Sequence, residues 1–117
     1  MKILIVDDSA PMRTLIRTYI SDFSTEVTEV IERCDGSEAL EAYRVHRPDI
    51  VLMDIKMTRM DGLTATSQII QYFPETRVVI VSQWDDAPIR EAARLAGAET
   101  IVSKSDLFPL RSILATV

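Results

Sequence analysis

The sequence holds a single cysteine, Cys34, in 117 residues. No internal disulfide and no cysteine-rich metal site can form, and a reducing cytoplasm is the expected setting. Cys34 itself is expected to pack as a small apolar residue. Runs of lysine and arginine are also missing, and the formal net charge is −5. A nucleic-acid phosphate backbone would meet repulsion here instead of counterion-releasing contacts, so the chain alone is not expected to bind nucleic acid. The longest apolar runs are about strand length, too short to span a membrane. The N-terminus lacks the basic-then-apolar layout of a signal peptide. No fixed-period repeat and no low-complexity stretch is present, which sets aside repeat architectures.

What is present reads as one globular domain over residues 1–117. Apolar residues make up 47% and charged residues 26% of the chain, spread along its length. That is enough to enclose one hydrophobic core without disulfides or a structural metal. Lys2 to Asp7 (KILIVD) is a short, nearly continuous apolar run, the pattern of a strand covered on both faces of a parallel sheet. Val27–Glu32, Asp49–Asp54 and Arg77–Ser82 repeat it, and a shorter fifth strand is expected at about Glu99–Ser103.

Helix patterns lie between these runs. Met12, Leu15, Ile16, Tyr19, Ile20 and Phe23 gather on one face of a first helix, which Ser9 can cap and whose first turn suits Pro11. Further helices are expected over Ser37–His46, Gly62–Tyr72, Asp86–Ala96 and from about Asp106 to the C-terminus, with Gly97 ending the fourth. Strict β-then-α alternation with right-handed crossovers implies an α/β fold: a parallel five-stranded sheet sandwiched between helices. The expected strand order is the flavodoxin-like 2-1-3-4-5, with chemistry at the carboxyl ends of the strands beside the switch point.

Five chemistry-bearing residues converge on that edge. Asp7 and Asp8 close the first strand, Asp54 the third and Ser82 the fourth, while Lys104 follows the fifth. Strands one and three are neighbours in this order, so three carboxylates crowd together. Each pair about 4 Å apart would cost roughly 4 kcal/mol at an effective dielectric near 20, unless a cation or raised pKa values relieve it. An oxygen-only cluster suits a hard cation, and Mg²⁺ is favoured because it retains waters and shares a phosphate oxygen, with Mn²⁺ as a substitute. Lys104 adds a fixed positive charge and Ser82 a hydroxyl that can donate to an anion. A carboxylate so flanked is a suitable nucleophile for phosphoryl transfer. Taken singly, each of these residues reads as a cap, a turn residue or a solvated charge; their shared position carries the reading.

Over essentially its whole length the sequence resembles the receiver domain of two-component response regulators. The resemblance rests on ILIVDDS with Met12 and Arg13, CDGSEAL (34–40), PDIVLMDIKM with MDG (48–62), VVIVS (78–82) and LAGAETIVSK (95–104). It implies that Asp54 accepts a phosphoryl group from a phosphohistidine on a sensor histidine kinase or a histidine phosphotransfer protein. By the same match Asp8 would ligate Mg²⁺ directly, Asp7 would act mainly through water, and the Lys56 backbone carbonyl would complete the protein ligands. Ser82 and Lys104 would contact the phosphoryl oxygens. A downstream effector would read the surface formed by the fourth helix, fifth strand and fifth helix. Such a chain is a signalling module and not a dedicated enzyme.

Four residues depart from the family pattern. Thr58 and Ser105 stand where the family usually has proline, so the loop after Asp54 is expected to be less rigid and the commonly cis peptide after Lys104 is in doubt. Ile101 replaces the usual switch aromatic, and Gln83, where a small residue is common, could narrow access to the site. Two other readings remain: a receiver that binds partners without taking phosphate, and a small haloacid-dehalogenase-type phosphatase. The phosphatase type separates its two aspartates by one residue, whereas Asp7 and Asp8 are adjacent. The chain fits either a stand-alone receiver or a piece of a longer regulator.

Overall fold

The first and third strands form where β-branched and other apolar residues run without interruption, and they stop just before Asp7 and Asp54. A computed structural model describes residues 1–117. Its elements are β1 (Lys2–Val6), α1 (Ala10–Phe23), β2 (Glu29–Arg33), a 3-10 turn (Gly36–Glu38), α2 (Ala39–His46), β3 (Ile50–Met53), α3 (Gly62–Tyr72), β4 (Val78–Ser82), α4 (Ala87–Ala96), β5 (Thr100–Ser103) and α5 (Leu110–Leu114). All strand pairings are parallel, in the order β2-β1-β3-β4-β5. The expected flavodoxin-like topology is the one observed.

Side-chain alternation along each strand sorts the core into two layers. Leu4, Val6, Val51, Met53, Val78 and Ile80 face α2, α3 and α4 through Ala42, Ile69 and Ala93. Ile3, Ile5, Ile50, Leu52, Val79 and Val81 face α1 and α5 through Ile16, Ile20, Leu110 and Leu114. Each fully buried side chain of this kind contributes about 1.5–3 kcal/mol relative to exposure. The sheet is therefore sealed on both faces, and only its ends are free to carry chemistry.

The caps also follow the sequence. Ser9 Oγ accepts from the Met12 amide at 3.2 Å and Pro11 sits in the first turn of α1. Asp61 and Asp86 cap α3 and α4 in the same way, and Gly97 ends α4 at φ 104°, a conformation that favours glycine.

Four expectations need correction. Leu15 is 52% exposed and lies outside the buried stripe of α1, where Ile16 and Ile20 carry the packing. Cys34 is exposed, with Sγ 3.3 Å from Glu38 Oε1, because it lies in the turn that leaves β2. The second strand begins at Glu29 and not Val27, since Glu29 pairs with Lys2 and β1 starts there. The last helix begins at Leu110, not near Asp106. Pro109 has no amide to donate and disfavours helical backbone at Phe108, so residues 107–109 form a turn that leads into α5.

Candidate functional site

Asp7, Asp8 and Asp54 follow directly from the ends of β1 and β3, which are hydrogen-bonded neighbours. Ladder bonds extend one residue past each strand. The Asp7 amide donates to the Arg33 carbonyl at 3.1 Å and the Asp54 amide to the Val6 carbonyl at 2.9 Å. Ligand atoms from the three carboxylates all lie within 4.8 Å of one another. Asp7 and Asp54 are buried and Asp8 is exposed. At that separation two like charges repel by roughly 3 kcal/mol for an effective dielectric of 20.

Lys104 reaches this cluster from the end of β5. Its Nζ lies 3.0 Å from Asp7 Oδ2 and 3.1 Å from Asp54 Oδ1. Its backbone is fixed by a 2.9 Å hydrogen bond from the Lys104 amide to the Ser82 carbonyl. Burial works against the ammonium charge, but the two carboxylates outweigh it and raise the lysine pKa. Asp54 is also pushed up, first by burial and then by the charge of Asp7; Lys104 and the Ile55 amide, 2.9 Å from Oδ1, pull back.

The two aspartates differ at their second oxygens. Asp7 Oδ1 accepts from the Ser9 amide at 2.9 Å, whereas Oδ2 is buried and has no hydrogen-bond partner. The Lys104 ammonium is that oxygen's one close polar neighbour, as an ion pair at 3.0 Å. Asp54 Oδ1 is held by Ile55 and Lys104, while Oδ2 accepts no hydrogen bond within the chain and is not sealed off as Asp7 Oδ2 is. An all-oxygen set with an orphaned buried carboxylate oxygen fits a hard divalent cation.

Neighbouring loops complete the site. Gly62, the first residue of α3, has no room for a side chain: a Cβ there would lie 1.7 Å from the Asp54 carbonyl oxygen. Ser82 is buried at the end of β4, and its Oγ accepts from the Trp84 amide at 3.0 Å. Lys56 stacks its ammonium on the Trp84 ring, 4.3 Å from the centroid, and its backbone oxygen accepts no hydrogen bond from the chain. Gln83 is exposed, Ile101 is buried against the α4 side of the sheet, and the peptide after Lys104 is not cis.

The structure thus brings together Asp7, Asp8, Asp54 and Lys104, with Ser82 and Lys56 on adjoining segments. Sequence reasoning missed two contributors. Arg13, half-buried on α1, donates from Nη1 to the Asp7 carbonyl at 2.6 Å and is paired with Glu32 on β2. Asp35 ties the loop after Asp54 through the amides of Arg59 and Met60, so that loop is anchored despite Thr58. The only signal for either was their place inside the matching segments.

The family model described as the response regulator receiver domain matches residues 3–115. This chain belongs to that family. The receiver is 39% identical over 103 residues to the chemotaxis protein CheY of Bacillus subtilis (strain 168), covering 88% of this chain and 84% of that protein. A two-component response regulator of the LuxR family from Aurantimonas sp. SI85-9A1 superimposes with a TM-score of 0.90 at 31% identity, over 98% of this chain and 83% of that one. CheY in a CheX–CheY–BeF3–Mg complex from Borrelia burgdorferi superimposes with a TM-score of 0.84 at 26% identity, over 100% and 90%. No helix of this receiver is long and apolar enough to cross a membrane.

Proposed function

We propose that this receiver is a cytoplasmic signalling module that takes a phosphoryl group onto Asp54 from the phosphohistidine of a sensor histidine kinase or histidine phosphotransfer protein. The observation that carries the reading is Lys104 Nζ at 3.0 and 3.1 Å from Asp7 and Asp54, beside a third carboxylate at the topological switch point. Asp54 Oδ2 is the free oxygen and the nucleophile. It bonds to phosphorus as the P–N bond to the donor imidazole breaks, and the imidazole leaves with that electron pair.

Asp7, Asp8, Asp54 and the unengaged Lys56 carbonyl would hold Mg²⁺, or Mn²⁺ in its place. When bound, the cation supplies charge neutralisation for the carboxylates and the phosphoryl oxygens. Lys104 favours the ionised form of Asp54 against the burial and the Asp7 charge that raise its pKa, and then has an ammonium hydrogen bond to offer a phosphoryl oxygen. Ser82 can donate its hydroxyl to a second oxygen. The signal would pass to an effector through the α4–β5–α5 face, and no turnover of a separate substrate is part of this role.

Incubation with acetyl phosphate, with and without excess EDTA, followed by phosphate-affinity electrophoresis tests the cation requirement. A shifted band that needs divalent cation supports it. Full-rate phosphorylation in EDTA removes the cation from the mechanism, and no shifted band under any condition favours a receiver that binds partners without phosphate.

A further inference from the structure

Asp35 is a buried carboxylate, 6% exposed, whose hydrogen-bond partners are all neutral donors. Two are local: the Ser37 amide at 2.9 Å and the Ser37 hydroxyl at 2.6 Å. The other two are remote: the Arg59 amide at 2.9 Å and the Met60 amide at 3.3 Å. A turn-forming aspartate needs only the local pair. Burying a charge is costly unless it is fully hydrogen-bonded, so a role confined to the 3-10 turn leaves the remote pair unexplained.

The remote pair lies in the loop between Asp54 and α3. That loop is closed at its base by the Ile55 amide on Asp54 Oδ1 and by the Gly62 amide on the Ile55 carbonyl at 2.7 Å. Between these points runs Lys56 to Asp61, without helix or strand. The side-chain hydrogen bonds that reach residues 56–60 from another element come from Asp35. Gly36 completes the clasp, because a Cβ there would lie 2.4 Å from the Met60 carbonyl oxygen. The Asp35 carboxylate is held at about 2, chiefly by the Arg59 amide and then by Ser37, so its grip does not vary over the neutral range.

We infer that Asp35 is a positioning residue for the phosphoacceptor site: by clamping Arg59 and Met60 it holds the loop that presents the Lys56 carbonyl to the cation. This rests on the cation site proposed above. Asp35 touches no member of the acidic cluster and acts only through the loop backbone. With Thr58 in place of proline, the clamp supplies a constraint that a fixed φ would otherwise give.

Calorimetric titration with Mg²⁺, paired with amide hydrogen exchange, tests the inference on wild type, Asp35→Ala, Asp35→Asn and the core control Ile20→Val. Asp35→Ala should bind Mg²⁺ roughly tenfold more weakly, the loss typical of removing an outer support of a ligand. The Arg59 and Met60 amides should exchange faster in it, and acetyl phosphate should label it at the wild-type rate only at raised Mg²⁺. Asp35→Asn, which keeps one acceptor oxygen, should fall between, and Ile20→Val should keep wild-type affinity despite its lower stability. Wild-type Mg²⁺ affinity in folded Asp35→Ala overturns the inference. If that variant does not fold, wild-type affinity in Asp35→Asn with lost Arg59 protection overturns it equally. A wild-type receiver that binds no Mg²⁺ would instead overturn the cation site itself.

Discussion

The Lys56 ammonium lies over the Trp84 indole, 4.3 Å from its centroid, so the loop after Asp54 and the loop after Ser82 touch through their side chains. The Trp84 amide is held by Ser82 Oγ at 3.0 Å. If Ser82 Oγ itself swings toward a phosphoryl oxygen it leaves that amide, which makes the sole tryptophan a reporter of the step. Beryllofluoride with Mg²⁺ should change Trp84 emission in the wild type and much less in Ser82→Ala. Unchanged emission at confirmed occupancy of Asp54 would show that the signal leaves by another route.

Asp54→Asn should shift the dependence of stability on pH. Burial and the Asp7 charge raise the Asp54 pKa in the folded state, so its ionisation opposes folding. The variant should match the wild type at low pH, below the usual carboxylate range, where Asp54 is protonated in both states. Its advantage should appear as pH rises through the raised folded pKa. At neutral pH the variant should melt above the wild type, by less than relief of burial and Asp7 repulsion alone would give, because the amide also forfeits attraction to Lys104. Thermal melts from acid to neutral pH without divalent cation provide the check, and a variant less stable at neutral pH contradicts the account.

Lys104→Ala leaves two buried carboxylates facing each other without their cation. A loss of about 2 kcal/mol is expected in cation-free buffer, below the full cost of breaking a sealed pair because Lys104 is partly exposed. Added Mg²⁺ should recover more stability in this variant than in the wild type. Some labelling by acetyl phosphate should persist, while the Trp84 response weakens.

Gly62→Ala should be among the most damaging single-methyl changes in the molecule. The added carbon would lie 1.7 Å from the Asp54 carbonyl oxygen, so either α3 or the Asp54 backbone must move. A loss of about 3 kcal/mol or more is expected by denaturant titration. Wild-type stability would show that the two segments are looser than described.

Much of this was legible because a parallel α/β sheet turns sequence order into position. Once KILIVD and DIVLMD read as adjacent strands, Asp7 and Asp54 had to meet, and Lys104 had to lie on the same edge. The first helix was legible from Ser9, Pro11, Ile16 and Ile20 because caps and apolar spacing are local signals. Leu15 was misplaced because spacing alone does not say how wide a stripe the sheet and α5 cover. Asp35 stayed hidden for a different reason. Its local pattern is satisfied by Ser37, and the partners that define its role lie 24 and 25 residues away. The Lys56–Trp84 stack depends likewise on two loops whose meeting no periodicity encodes.

The most direct test of the central claim is the intact mass of the receiver after exposure to acetyl phosphate and Mg²⁺, compared between the wild type and Asp54→Asn. The wild type should gain the mass of one phosphoryl group, and Asp54→Asn, folded and at least as stable, should gain none. Equal gain in both, or none in a folded wild type with Mg²⁺ present, would contradict the assignment of Asp54 as the phosphoacceptor.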